Sequence, residues 1–240
     1  TFKKEKKENR FVHDFLFSLK NMPVTMKKLG LIQFFSWFAF FTMWSMATPA
    51  LTDYVYKAPA PDKTAFDFSI PAQEQAFNIA NKAFQTASDN VGSAMGIYGL
   101  SSMVFALLLT FYAAKRSVNR KLVHMFSLVA GGVGFLLMGL GQASLLNISF
   151  ILIGISWGSI LSMPYAMLSS SDKEKRMGMM MGLFNMFIVI PQIIAALGGI
   201  NFLSELISKS SIAPMILAGI SLILGGLSNF LINDKKVIIG

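Results

Sequence analysis

Polar and aromatic side chains that interrupt the apolar stretches of this sequence are the groups best suited to bind a ligand. Gln33, Trp37 and Trp44 are separated by four and seven residues, a spacing that places all three on one stripe of a helix. An amide or a deeply placed indole is costly in contact with lipid, so the stripe is predicted to face a cavity inside the protein. For the two indoles, an interfacial aromatic belt is the alternative interpretation.

A second candidate group surrounds the proline of "WGSILSMPYAML". Pro164 removes a backbone hydrogen bond and permits a helix kink, and broken membrane helices commonly line a cavity or a protein interface. Ser156 and Trp157 are therefore predicted to reach the same cavity as the first stripe. A kink that contacts no ligand is the alternative.

A third candidate group is a pair of amides. Asn185 and Gln192 are seven residues apart and share a helix face, and Pro191 beside the second amide is predicted to kink its helix. Amides donate and accept hydrogen bonds, and indole rings offer flat apolar faces, so the combined groups suit a neutral polyhydroxylated ligand such as a sugar. Interhelical hydrogen bonding is the alternative role for each amide. Periodicity predicts that Phe40 and Ile188, on the same helices, face lipid.

Residues for catalysis or metal binding form no comparable group. His13 and His124 fall at the edges of apolar stretches, the carboxylates fall in loops, and the sequence contains no cysteine. A thiolate metal site and a disulfide framework are therefore excluded, and no glycine-rich nucleotide motif is present. We predict that the protein is not an enzyme and holds neither a cofactor nor a metal.

The elements that must position the candidate groups are membrane-spanning helices. Of the 240 residues, 54% are hydrophobic and only 14% are charged, too few to coat a water-soluble domain. Each charge-free stretch of about 20 residues or more suffices for one bilayer crossing, and the longest stretch divides at "GQASLLN". The predicted fold class is an all-α membrane protein with six transmembrane helices, at about residues 29–52, 90–114, 125–141, 147–168, 177–200 and 210–233.

The distribution of basic residues predicts how the chain is oriented. Seventeen of the 21 lysines and arginines precede the first span, follow the last, or lie in the loops on the same side as both ends. This bias follows the positive-inside rule and predicts a multi-pass protein of the cell membrane with both ends in the cytoplasm. Because the rule accounts for the net charge of +9, no nucleic-acid partner is expected.

Three segments lie outside the predicted spans. Residues 1–28 form a basic cytoplasmic linker, with an amphipathic helix predicted at residues 11–22, and residues 234–240 form a cytoplasmic tail. Residues 53–89 form an outer loop, and the part after Pro71 is predicted to be a helix that continues into the second span. Pairs of glycines four residues apart are predicted to let helix backbones approach closely. The pairs are Gly92/Gly96, Gly154/Gly158 and Gly178/Gly182.

Three segments, "QFFSWFAFFTMW", "WGSILSMPYAML" and "MGLFNMFIVIPQII", resemble the carboxyl-terminal half of the glycoside and sucrose proton symporters of the major facilitator superfamily. The resemblance covers roughly residues 28–233, and the run from Gly182 to Gln192 is its most specific part. It implies one half of a twelve-helix transporter that moves a sugar together with a proton by alternating access. The amino-terminal six-helix half is then the implied partner, and the chain is expected to be a fragment.

The sequence departs from the family pattern in the number of spans and in one loop. Six spans are predicted where the family has twelve, and Lys115 lies near the place of an acid that precedes the arginines of the family's loop motif. The six spans also contain no Asp, Glu, Lys or Arg, so the proton-carrying group is expected in the amino-terminal half. A six-helix scaffold or partner-binding subunit that transports nothing is the alternative function.

Overall fold

The computed structural model describes residues 17, 20–171, 177–233 and 235–240. Within them, six helical segments are long and apolar enough to cross a membrane, which confirms the all-α fold with six candidate spans. The α-helices of the described residues are α1 (Val24–Tyr54), α2 (Pro71–Ala113), α3 (Arg120–Met138), α4 (Leu146–Ser171), α5 (Met177–Ile194), α6 (Ile200–Ile207), α7 (Ala213–Ser228) and α8 (Lys235–Ile238). The amphipathic helix predicted at residues 11–22 lies largely outside the described residues.

Helix-initiating residues explain why α2 and α3 begin before the apolar stretches from which these two spans were predicted. Pro71 occupies the first turn of α2, where its missing N–H is not needed and its fixed φ favours the helix. Asn119 caps α3, since its side-chain oxygen accepts a hydrogen bond from the Leu122 amide at 3.0 Å. Both helices therefore start with polar turns, and α2 continues without interruption from Pro71 through the second span.

The packing of the first three spans repeats in the last three. Helix α1 packs along α7, and α4, which opens the second set, packs along α3 in the same way. Helix α2 lies against α4, its counterpart α5 lies against α1, and the final helices of the two sets, α3 and α7, contact each other. Because each set contains three crossings, the second set enters the membrane from the opposite side. The contacts therefore follow the pattern of an inverted repeat of two three-helix units.

The two middle helices of these units are the least buried. Only 6% of the most apolar stretch of α2 is buried, and 28% of the stretch that includes α5, whereas half or slightly more of the other spans is buried. On α2 the exposed side chains are large and apolar, among them Leu107, Leu108 and Phe111. These helices consequently present apolar faces to lipid or to another helical partner.

One of the three glycine pairs lies at a close helix contact. A Cβ atom added at Gly158 would come within 3.0 Å of the Ser102 carbonyl oxygen on α2, and one at Gly154 would collide with the Tyr98 carbonyl oxygen. The predicted close approach is thus confirmed for this pair. It is wrong for the other two pairs within the described residues, since no neighbouring atom lies within 4 Å of an added Cβ at Gly92/Gly96 or Gly178/Gly182.

The fifth span differs from the continuous helix predicted at residues 177–200. Beyond α5 the chain makes a π-type turn, in which Leu197 has a ψ of 16° and Gly198 has a φ of 103°. Glycine reaches this positive φ without the steric cost that a Cβ atom imposes. The interruption therefore lies beyond Pro191, where the kink was predicted, and α6 forms as a separate short helix. The other predicted kink residue, Pro164, lies within α4, which continues to Ser171.

The end of the chain folds back onto the start of α3. Val118 and Gly240 exchange two backbone hydrogen bonds of 2.8 and 3.1 Å, and Val237 of α8 is fully buried. Nearby, the Arg120 guanidinium donates a hydrogen bond of 3.0 Å to the Ala166 carbonyl oxygen of α4. These contacts tie the tail to the ends of α3 and α4 on what we call the inner face, the side on which α1 begins.

Single cysteines introduced into this cysteine-free chain are expected to report its orientation. Lys63→Cys, in the loop before α2, should react with a membrane-impermeant maleimide added to intact cells, because the charge bias places this loop outside. Lys115→Cys, in the loop before α3, should react only after permeabilisation. Both side chains are exposed on the protein, so a difference in labelling between them reports the side of the membrane and not burial. The reverse labelling pattern would show that the chain ends lie outside the cytoplasm.

Candidate functional site

Three tryptophans from two helices meet where α1 faces α4. Trp37 and Trp44 of α1 have ring centroids 6.2 Å apart, and Trp157 of α4 lies 5.4 Å from the first and 5.2 Å from the second. All three pairs are edge-to-face, the arrangement in which the positive edge of one ring meets the negative face of another. The structure therefore brings the indoles of two of the three predicted groups together. We call these three rings, with the aromatic rings that contact them, the aromatic cluster.

Phe40 lies within the aromatic cluster and does not face lipid. It is fully buried, and its ring centroid is 4.8 Å from that of Trp157 and 5.8 Å from that of Trp44. The predicted lipid-facing position is wrong because a residue three positions after Trp37 is rotated by only about 60° from it around the helix. Phe40 thus belongs to the same inward stripe.

Tyr98 of α2 completes one edge of the cluster. The Trp44 indole N–H donates a hydrogen bond of 3.3 Å to the Tyr98 hydroxyl, and the Trp44 side chain is 39% exposed. Trp44 therefore forms the open edge of the cluster. Tyr98 is not among the predicted site residues, although a tyrosine placed deep in the second apolar stretch is a signal that could identify it.

Gln33 and Trp37 bring unpartnered polar atoms to the opposite edge of the cluster. Gln33 is 0% exposed, and neither its amide nitrogen nor its amide oxygen has a hydrogen-bond partner among the described residues. The indole nitrogen of Trp37, one helical turn away, is also buried and unpartnered. Since buried polar groups are nearly always paired, Gln33 and Trp37 are the candidate hydrogen-bonding groups of this site.

The two amides of α5 occupy separate environments. The Tyr165 hydroxyl of α4 donates a long hydrogen bond of 3.5 Å to the Asn185 side-chain oxygen, whereas the Gln192 amide nitrogen donates to the Ile188 carbonyl of its own helix at 3.1 Å. No hydrogen bond joins either amide to a tryptophan in the described part of the chain. Asn185 is exposed and reaches toward α4, so of the two it is the better placed for a ligand.

Ser156 lies apart from the aromatic cluster. It is fully buried, its hydroxyl donates to the Ile153 carbonyl at 2.7 Å, and its side chain packs where Gly131 of α3 leaves room. Consecutive residues of a helix point about 100° apart, which is why Ser156 faces α3 while Trp157 faces α1. Its side chain therefore packs at the α3–α4 contact, while its hydrogen bond stays within α4.

His124 is also internal, although the sequence placed it at an edge. It is fully buried in α3, and its Nδ1 atom lies 2.8 Å from the Ser159 hydroxyl oxygen of α4. Its Nε2 atom has no hydrogen-bond partner in the described residues. A titratable side chain thus lies between two spans.

The functional interpretation of this chain rests on the geometry of the site and not on a comparison with known proteins. No protein-family model matches the chain, and no curated protein matches it either. The features on which a function can be proposed are the aromatic cluster and the unpartnered Gln33 and Trp37 groups beside it.

Proposed function

We propose that this chain is the carboxyl-terminal half of a major-facilitator-type secondary transporter that moves a sugar or glycoside by alternating access. The observation that carries the proposal is the pair of unpartnered buried groups, the Gln33 amide and the Trp37 N–H, beside three indole rings. A sugar hydroxyl both donates and accepts hydrogen bonds, so it can pair with the amide oxygen, the amide nitrogen and the indole N–H. The C–H face of a sugar ring is apolar and packs on an indole.

The position of the aromatic cluster in the fold supports a transport role. The cluster lies where α1 meets α4, the helices that occupy equivalent places in the two three-helix units. In transporters built from inverted repeats, substrate sites lie near the bilayer midplane at the repeat interface. Movement of the units against each other can then change which side the cluster faces while the substrate stays bound.

The proposed partner is an amino-terminal six-helix half. The exposed apolar faces of α2 and α5 provide surfaces on which further helices can pack, with lipid covering the rest. A proton symporter needs a titratable group within the membrane, and no carboxylate occurs in the six predicted spans. We assign proton coupling to a carboxylate of the amino-terminal half, because the His124 imidazole of this half is buried between α3 and α4 against the Ser159 hydroxyl.

Sugar uptake by the assembled transporter is the test of this proposal. Vesicles containing both halves should take up one of a panel of labelled mono- and disaccharides, with saturation and with acceleration by an inwardly directed proton gradient. Residues 1–240 alone should insert but not accumulate sugar, because half of the cavity and the proton-carrying group are absent. Uptake of no sugar by the assembled protein, with α1–α7 correctly inserted, would indicate a non-transporting scaffold instead.

The same assay locates the substrate. Trp157→Phe keeps a ring in the aromatic cluster and should lower sugar affinity less than Trp157→Ala, which removes the ring. We expect the alanine variant to lose about 1–3 kcal/mol of binding free energy. Leu227→Ala, at an exposed position of α7, is the control and should bind sugar as the unmodified protein does. Equal affinity in all three variants would exclude the cluster as the binding site.

A further inference from the structure

A pocket of about 490 Å³ opens on what we call the outer face, on the side opposite α8, and it is separate from the aromatic cluster. The outer end of α1, the separate helix α6 and the start of α7 form its walls, and Phe84 of α2 contributes an aromatic side chain. Its volume falls within the range of pockets that hold small organic ligands, and it is much larger than a metal ion requires.

Ionisable side chains line this outer pocket from different elements. Asp53 lies near the end of α1, Glu205 lies on α6, and Lys209 lies in the following loop. Among the described residues, none of the three forms an ion pair or a side-chain hydrogen bond. Two unpaired carboxylates against one ammonium give the pocket a negative balance, which favours a positively charged ligand.

The predicted outer segments of the chain share this negative balance. They carry six carboxylates and four lysines, although the whole chain has a net charge of +9. A cation that approaches the outer face is therefore attracted toward it, while most basic residues belong to segments predicted on the inner side.

A buried hydroxyl provides an independent indication of a ligand. Ser204 lines the outer pocket, its side chain is only 6% exposed, and its hydroxyl has no hydrogen-bond partner in the described residues. A buried hydroxyl without a partner is destabilising, because it has lost water and gained nothing in return. A ligand with a hydroxyl or ammonium group at this position would satisfy it.

We propose that the outer pocket binds a small organic amine that also carries hydroxyl groups, an amino sugar being the simplest example. The ammonium of the ligand is recognised by Asp53 and Glu205, and its hydroxyls by Ser204 and the Asn201 amide. Phe84 provides an apolar face for the ligand ring. The pocket shares no residue with the aromatic cluster, so this site is independent of the proposed transport function.

Binding of matched ligands to the chain in lipid nanodiscs tests this proposal. Glucosamine and glucose differ by one ammonium in place of a hydroxyl, and at about pH 6 the amine is protonated. Calorimetric titration should show glucosamine binding at least about tenfold tighter than glucose, with the difference decreasing as salt is added. Equal affinities, or no glucosamine binding at all, would overturn the proposal.

Isosteric variants then assign the roles. Asp53→Asn and Glu205→Gln should each weaken glucosamine binding about tenfold and leave glucose binding nearly unchanged, since only the charge is removed. Asp89→Asn, an exposed carboxylate that does not line the pocket, is the matched control and should change neither affinity. Loss of glucosamine preference in the control but not in the pocket variants would contradict the assignment.

Two further variants keep the test informative if a carboxylate variant does not fold. Lys209→Met removes the positive charge and should raise glucosamine affinity, whereas Ser204→Ala should weaken binding without lowering the unfolding temperature. Weaker glucosamine binding by the Lys209→Met variant together with tighter binding by the Ser204→Ala variant would refute the proposal. Glucosamine should still bind to the Gln33→Leu variant, because that substitution affects the aromatic cluster, so failure of sugar transport and failure of this site are distinguishable.

Discussion

Gln33→Leu is expected to stabilise the folded chain while removing sugar binding. The Gln33 side chain is 0% exposed, and both of its polar atoms lack partners in the described residues. An unsatisfied buried polar group costs about 1–3 kcal/mol, and leucine fills a similar volume without polar atoms. We therefore expect a gain of about 1–3 kcal/mol in the free energy of unfolding and a loss of sugar affinity of about tenfold or more.

The measurement for Gln33 pairs unfolding in mixed micelles with sugar binding to the assembled protein. Gln192→Leu is the matched control for stability, because the Gln192 amide already donates to the Ile188 carbonyl at 3.1 Å. Its replacement should change the free energy of unfolding by no more than about 0.5 kcal/mol. If Gln33→Leu destabilised the chain, the amide would be a structural element and the binding proposal would lose its main support.

Gly154→Ala is expected to destabilise the bundle by about 1–3 kcal/mol, the usual cost of overpacking. The added Cβ would collide with the Tyr98 carbonyl oxygen and approach the Ser101 side chain at 2.7 Å. Backbone atoms cannot rotate away as a flexible side chain can, so α2 must move away from α4. Because the Tyr98 hydroxyl accepts the hydrogen bond from Trp44, the same displacement should also weaken sugar binding.

Gly92→Ala is the matched control, since no described atom lies within 4 Å of an added Cβ there. Alanine favours a helix over glycine by up to about 1 kcal/mol, so this variant should be as stable as the unmodified chain or more stable. Unfolding in mixed micelles shows whether each alanine substitution raises or lowers the free energy of unfolding. Equal effects at both positions would mean that α2 and α4 are not in close contact at Gly154.

The helical character of the apolar stretches could be predicted from local sequence alone. A segment in hydrocarbon must satisfy its own backbone hydrogen bonds, so a long charge-free stretch becomes a helix whatever its neighbours are. This constraint explains why the six apolar stretches correspond to six candidate spans. The stripe of Gln33, Trp37 and Trp44 was predictable for a similar reason, since helical periodicity alone places these residues on one face.

The candidate site was only partly predictable, because its details depend on which helix faces meet. Phe40 is an apolar residue of a type that commonly faces lipid. Only the approach of α4 places Trp157 against it. Ser156 and Trp157 are adjacent in sequence, yet the first packs at α3 and the second at α1. The three glycine pairs share one spacing. Within the described residues, a neighbouring helix backbone lies against Gly154/Gly158 but against neither of the other two pairs.

What the sequence by itself determined is the number of candidate membrane spans, their apolar character and the stripe of α1 that carries Gln33, Trp37 and Trp44. What only the tertiary structure decided is which of those groups lack partners, where Gly198 interrupts the fifth span, and how α1, α6 and α7 enclose the outer pocket. The reason is physical. Helix formation and insertion depend on contacts within a few residues of the chain, whereas packing in lipid depends on the close fit of surfaces that are distant in sequence.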